Sequence, residues 1–204
     1  MSTLKVDTIL KRTGTGTITV GQSGDTISVP TGATLNISGS TSGITQGITN
    51  AEQWGLDSDQ AISSANSDTL ITGWSRRTNN GIGNIGTILS ESSGTFSFSA
   101  TGIYLCTYYA YFVRTNHLIQ YAGSKWKFTI NNSAYNDVGQ QFTNMQDSSS
   151  VYGGTVSQAL VDISDTTNCK IRPYVQCSDA SAITVEGNNS KPVNYINFVR
   201  IGDT

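Results

Sequence analysis

The sequence predicts an all-β protein built from a leader, a short repetitive β shaft and a head of two packed antiparallel sheets, assembled from several copies. Three observations predict it. Gly, Ser, Thr and Asn crowd the 204-residue chain at the expense of helix formers. A strand-like unit recurs three times within residues 14–39. From about Ala51 onward, apolar runs separated by Gly, Asn, Asp and Ser clusters continue to the C-terminus at the spacing of a β-sandwich.

The leader, residues 1–12, reads "MSTLKVDTILKR" and mixes Leu4, Val6, Ile9 and Leu10 with Lys5, Asp7, Lys11 and Arg12. It lacks the uninterrupted apolar core of a secretion signal, so assembly in a cytosol is expected. Its apolar residues are too few for a core and too mixed with charge for a membrane. They suit a segment that orders on docking, by entering a groove or adding a strand to a neighbour's sheet edge. A solvated, ragged terminus is the alternative.

The shaft, residues 13–40, carries apolar pairs at strand spacing: Ile18/Val20, Ile27/Val29 and Leu35/Ile37, with steps of nine and then eight residues. Burying one such side chain contributes about 1.5–3 kcal/mol, whereas fixing each backbone residue costs about 1–2 kcal/mol. Six apolar side chains therefore cannot order this stretch alone, and neighbouring copies of the chain are expected to supply the cover. A Gly/Ser/Thr linker is the competing reading. Residues 41–50, with isolated Ile44 and Ile48, read as a joint.

The head, residues 51–204, is expected to place strands near 68–74, 85–91, 94–100, 102–115, 124–131, 137–144, 151–163, 168–177, 182–187 and 193–202. The run from Gly102 is the most informative because both faces are apolar or aromatic. Tyr104, Cys106, Tyr108, Ala110 and Phe112 occupy one; Ile103, Leu105, Tyr109, Tyr111 and Val113 occupy the other. One dry face lines the sandwich and the second is expected to meet another subunit, where Tyr offers area and a polar tip. Cover by a loop of the same chain is the alternative.

Asn84, Leu89, Phe96, Gly102, Tyr104 and Tyr108 reproduce a spaced pattern that resembles the signature of the complement-type globular head, a trimeric ten-strand jelly roll related to tumour necrosis factor. The pattern fails at Thr78 and Cys106, where it wants Phe in the core. The resemblance implies a homotrimeric jelly-roll head in which Phe96, Tyr104, Tyr108, Tyr109, Tyr111 and Phe198 serve the core or the trimer interface. The segment from Ser2 to Gly39, with the terminal "FVRIGDT", also resembles fibre and appendage proteins of marine bacteriophages. That likeness implies a virion protein whose leader residues Leu4, Val6, Ile9 and Leu10 grip another virion protein.

The composition argues against other classes. Charged residues are 13% of the chain against about 25% in an average globular protein, and the net charge of -2 leaves no footprint for nucleic acid. The apolar run 103–113 is shorter than the roughly 20 residues a bilayer requires. Cys106, Cys169 and Cys177 show no metal-ligand spacing and read as free thiols, and the sequons at Asn36, Asn131 and Asn188 carry no meaning without secretion. "GIGNIG" at 81–86 lacks the strand before and helix after that a dinucleotide fingerprint needs. His117, the Asp57/Asp59 and Asp162/Asp165 pairs, and calcium at those acidic turns are better explained by solvated loops and self-capping. No catalytic residue, metal or cofactor is expected.

The leading expectation is a non-enzymatic trimeric virion fibre or spike whose head contacts a host glycan or protein through loops carrying Asn131, Tyr135, Asn188 and Lys191. A capsid-decorating or purely structural virion protein differs only in where the leader docks. A carbohydrate-binding module is the third reading.

Overall fold

The computed structural model describes residues 17–36, 48–62, 64–114, 119–145, 151–179 and 183–204. The chain divides into two compact units, Met1–Ile44 and Thr45–Thr204.

In the first unit, residues 17–36 form turns without a strand. The Asp25 N–H donates to Gln22 O and the Ala33 N–H to Pro30 O, both at 3.0 Å. The Asp25 carboxylate accepts the Gln22 N–H at 2.6 Å, an Asx-type closure beside Gly21 and Gly24 in the positive-φ region. Ile18, Val20, Ile27, Val29 and Leu35 are exposed in the single chain, Ile27 and Leu35 each at 65%. Ile37 and the leader residues Leu4, Val6, Ile9 and Leu10 lie outside the described residues.

The second unit is a jelly-roll β-sandwich. Its strands are β1 (Asn50–Leu56), β2 (Gln60–Ala61), β3 (Thr69–Leu70), β4 (Trp74–Arg76), β5 (Leu89–Ser92), β6 (Thr95–Phe98), β7 (Gly102–Arg114), β8 (Tyr121–Thr129), β9 (Asn136–Asn144), β10 (Val151–Ile163), β11 (Lys170–Cys177), β12 (Ile183–Val185) and β13 (Tyr195–Gly202). One sheet runs β2-β12-β7-β13-β1-β4 with β10 also on β7, and the other runs β5-β6-β11-β8-β9 with β3 on β11. Strands expected from the sequence are present, the one near 68–74 being split into β3 and β4. β1 and β2 are additional, so a strand begins at Asn50, where the sequence suggested the end of a joint.

β1 reads against simple alternation because Glu52 points inward beside Trp54 and Leu56, and all three are buried. The buried carboxylate is fully partnered. It accepts the Ile88 and Leu89 N–H groups at 2.5 and 3.1 Å and the Trp54 indole N–H at 3.1 Å, and it pairs with Arg76 at 2.9 Å. These bonds offset desolvation and tie β1 to the approach to β5.

Between the sheets lies an aromatic core. Phe198 sits 4.9 Å from Phe96 and 5.9 Å from Trp126, Tyr104 packs 4.7 Å from Phe98, and Tyr108 lies between Trp74 and Trp126. Cys106 is fully buried opposite Phe198, so a large ring on the neighbouring strand flanks the small residue. Thr78 is exposed, and its departure from the family pattern leaves the core untouched. The three cysteines are free and buried; burial raises the Cys106 thiol far above its ordinary range and pushes Cys177 up to about 11.

Candidate assembly interface

β10 inverts the usual rule for a sandwich strand. Its inward positions include Thr155 and Ser157, both buried, while Tyr152, Val156 and Leu160 point outward at 66%, 48% and 64% exposure. The inversion has a local cause. Trp126 on β8 is wholly buried and donates its indole N–H to Ser157 O at 3.2 Å, so the ring takes space that larger β10 side chains would need. The small hydroxyls are satisfied there, since Ser124 Oγ lies 2.8 Å from Thr155 Oγ1 and 2.9 Å from Ser157 Oγ. Tyr152, Val156 and Leu160 are thereby left on the outer surface, while Ala159, Val161 and Ile163 further along β10 stay buried.

That surface continues across the sheet because β10, β7, β13 and β1 are in register. Leu160, Leu105, Val199 and Ala51 form one transverse row. The next is polar: Gln158, Thr107, Asn197 and Gln53. Gln158 Nε2 donates to Thr107 Oγ1 at 3.2 Å, and Gln53 Nε2 donates to Asn197 Oδ1 at 3.0 Å. Val156, Tyr109, Tyr195 and Gly55 follow. Tyr109 stacks on Tyr195 at 4.4 Å, and Tyr111 stacks on Tyr152 at 5.9 Å. The face is thus an aliphatic band, a polar row and an aromatic band. Asp162 is the charged residue among the outward positions of these four strands. A surface this apolar and this poor in charge has the character of a protein contact.

Along its other edge β7 pairs with β13 through residues 103–109 and with β12 through 112–114. At Tyr111 the Asn194 side chain takes the place of a strand: Oδ1 accepts the Tyr111 N–H and Nδ2 donates to Tyr111 O, both at 2.8 Å. Asn194 is completely buried. It holds the aromatic band at a fixed height.

The residues singled out from the sequence separate into distinct places. Phe96, Tyr104, Tyr108 and Phe198 are buried between the sheets, whereas Tyr109 and Tyr111 lie half-buried on the outer face. Asn131 and Tyr135 lie between β8 and β9, at the end of the sandwich where β7 starts; the Asn132 N–H donates to Asn168 O there. Asn188 and Lys191 lie between β12 and β13 at the opposite end, where Leu56 O accepts the Asn188 N–H. Asn131 caps its own turn by accepting the Ser133 and Ala134 N–H groups, and Asn188 does so with Ser190 and Lys191. Tyr135 lies under Arg172, whose guanidinium is 3.8 Å from its ring. The 186–191 loop is pinned by buried Arg77, which donates to the carbonyls of Leu56, Asn188 and Asn189 and pairs with Asp57 at 3.0 Å.

Of the acidic pairs, Asp57, Asp59 and Asp165 serve loops, whereas Asp162 stands in β10 opposite Ile103 rather than in the turn the sequence suggested. Asp57 also accepts the Ser75 hydroxyl, Asp59 accepts the Gly187 N–H, and Asp165 accepts the Thr167 N–H. The 81–86 glycine stretch is a loop whose Ile85 bridges Ala51. His117 lies outside the described residues.

Sequence reasoning singled out the apolar residues on the outer face of β7 but missed Tyr152, Val156, Leu160, Tyr195 and Val199. The two-residue alternation of β10 and β13 was visible; which face turned inward was not, since it depends on Trp126 from another strand.

No protein-family model matches the chain, and no curated protein matches it. Solved structures do resemble it. The Eiger TNF of S. frugiperda superposes with a TM-score of 0.54 at 13% identity, over 76% of this chain and 93% of its own. Murine APRIL superposes with a TM-score of 0.51 at 13% identity, over 74% of this chain and 98% of its own. The PRD1 vertex protein P5 gives a TM-score of 0.46 at 14% identity, over 76% and 99%, which is too loose to indicate a shared fold. At these identities the likeness to Eiger and APRIL is one of fold.

Proposed function

We propose that the chain is a non-enzymatic structural subunit of a virion appendage, a homotrimeric fibre or spike with a jelly-roll head. The observation that carries the assembly is the inverted β10, which turns Tyr152, Val156 and Leu160 outward beside Leu105, Tyr109 and Val199. Ile18, Val20, Ile27, Val29 and Leu35 of the shaft are uncovered in the single chain as well. Copies of the same chain can cover each surface, and an outer face nearly free of charge can meet its own copy without repulsion. The stoichiometry of three follows from the resemblance of the head pattern to trimeric complement-type heads.

The virion setting rests on the resemblance of the leader and shaft to phage appendage proteins. In this reading residues 1–12 anchor the subunit on another virion protein, residues 13–40 form the shaft, and the head faces outward. Host contact, to a glycan or a protein, falls to the loop carrying Asn188 and Lys191, at the end of the sandwich away from the start of β1. Two measurements test the proposal. The purified chain is expected at trimer mass in light scattering, and a monomer at micromolar concentration overturns the assembly. A chain starting at Thr13 is expected to trimerise yet be missing from purified particles; its normal incorporation moves the anchor elsewhere and favours capsid decoration.

A further inference from the structure

The polar row is the feature of the assembly face that apolar cover does not explain. Gln158, Thr107, Asn197 and Gln53 stand in register across four strands, between an aliphatic and an aromatic band. Within the chain each amide makes a single side-chain bond, Gln158 to Thr107 and Gln53 to Asn197. Gln158 Oε1, Gln53 Oε1 and Asn197 Nδ2 keep unused bonding capacity. Covering them with apolar surface leaves them unsatisfied, at a cost in affinity for each. Covering them with identical amides satisfies them, because a carboxamide is donor and acceptor at once.

Resting on the trimer reading above, we propose that this row is the register key of the assembly: rows of adjacent copies meet one another and close a ring of side-chain hydrogen bonds around the symmetry axis. An axis along the strands keeps every row at one height in all copies, so amide faces amide, aliphatic faces aliphatic and aromatic faces aromatic. Any axial slip puts an amide against Val156 or Leu160 and strands its bonds. The flanking apolar bands supply affinity without direction, whereas the polar row penalises wrong alignments, as a single buried polar layer does in helical assemblies.

Charge reversal at Gln158 tests the ring. Gln158 is exposed in the single chain and its replacement leaves the head core untouched, so Gln158→Glu and Gln158→Lys are each expected to keep the parent far-UV spectrum. Each variant alone places like charges together and is expected to raise the dissociation concentration about a hundredfold. Refolded as an equal mixture, they are expected to return to parent mass with both sequences in one particle. Parent-like affinity of either variant alone, or a mixture that fails to recover, overturns the ring. A second pair of changes makes the row apolar: Thr107→Val with Gln158→Leu is expected to stay associated but to split into more than one mass species in native mass spectrometry. A single species of parent mass overturns the register role. If the unmodified chain is itself a monomer, the trimer reading fails first, a result distinct from these.

Discussion

Asn194 and Tyr111 form a reciprocal pair in which a side-chain amide stands in for a β-strand, accepting the Tyr111 N–H and donating to its carbonyl at 2.8 Å each. Nδ2 also reaches Glu186 O at 2.7 Å, and the Asn194 carbonyl accepts the Leu56 N–H. One buried residue therefore joins β7, the residue following β12 and the end of β1. Asn194→Ala strands the Tyr111 N–H, leaves its carbonyl only the 3.4 Å bond from the Glu186 N–H, and is expected to cost about 2–4 kcal/mol, a fall of roughly 5–10 °C in the thermal midpoint. A midpoint within a degree of the parent would show that water replaces the amide.

Gly55 is required by Arg77. A Cβ at position 55 would lie 2.1 Å from Arg77 Nε, in the middle of a buried side chain rather than at its free end. Gly55→Ala is expected to displace Arg77, destabilise the head by about 2 kcal/mol and release the 186–191 loop. Limited proteolysis reports the release. Cleavage within 186–191 should quicken in the variant, and an unchanged cleavage pattern would mean that other bonds hold the loop.

A charge cluster outside the assembly face gives a pH dependence. Lys125 lies 3.0 Å from Asp68 and 3.1 Å from Asp137, and Lys127 lies 2.6 Å from Asp68. Burial raises the Asp68 carboxyl, but hydrogen bonds and charges from Lys127 and Lys125 outweigh it and hold it below its ordinary value. Its contribution is therefore fully present above the ordinary carboxylate range and lost as pH falls through the depressed folded value. Asp68→Asn is expected to cost about 1 kcal/mol at neutral pH, a modest figure because the network is partly solvated. Thermal melts should show the difference between parent and variant closing as pH falls below the ordinary carboxylate range; a gap that persists in strong acid would assign the loss to packing.

Leu160 is the most direct probe of assembly. It is 64% exposed in the single chain and sits in the aliphatic row with Leu105 and Val199. Leu160→Glu is expected to leave the β spectrum intact and reduce the native mass to that of one chain at micromolar concentration. An unchanged mass would remove this row from the interface.

Much of the head was legible because strand period and turn residues are local. The long runs at β7, β10 and β11 announce themselves through alternation, and glycine, asparagine and serine clusters mark the breaks. β1 was hidden by Glu52, a charge at an inward position. Such a residue is tolerable only with four partners, and Arg76, Leu89 and Ile88 arrive from segments 24–37 positions further along. No periodicity in "AEQWGL" records that arrangement.

By itself, then, the sequence determined an all-β chain with a repetitive amino-terminal stretch and a strand at Gly102–Arg114 with two largely apolar faces, all of which follow from residue type and spacing. Tertiary structure decided which way β10 faces. Alternation in "TVSQALV" is compatible with Val156 and Leu160 inside or outside; in the fold Thr155, Ser157, Ala159 and Val161 turn inward, with the buried Trp126 indole donating to Ser157 O. It also decided that Asn131 and Asn188 cap turns at opposite ends of the sandwich, and that Gln158, Thr107, Asn197 and Gln53 share one row. Each of these depends on register between strands distant in sequence, and register is set by the packing of the whole core rather than by any segment alone.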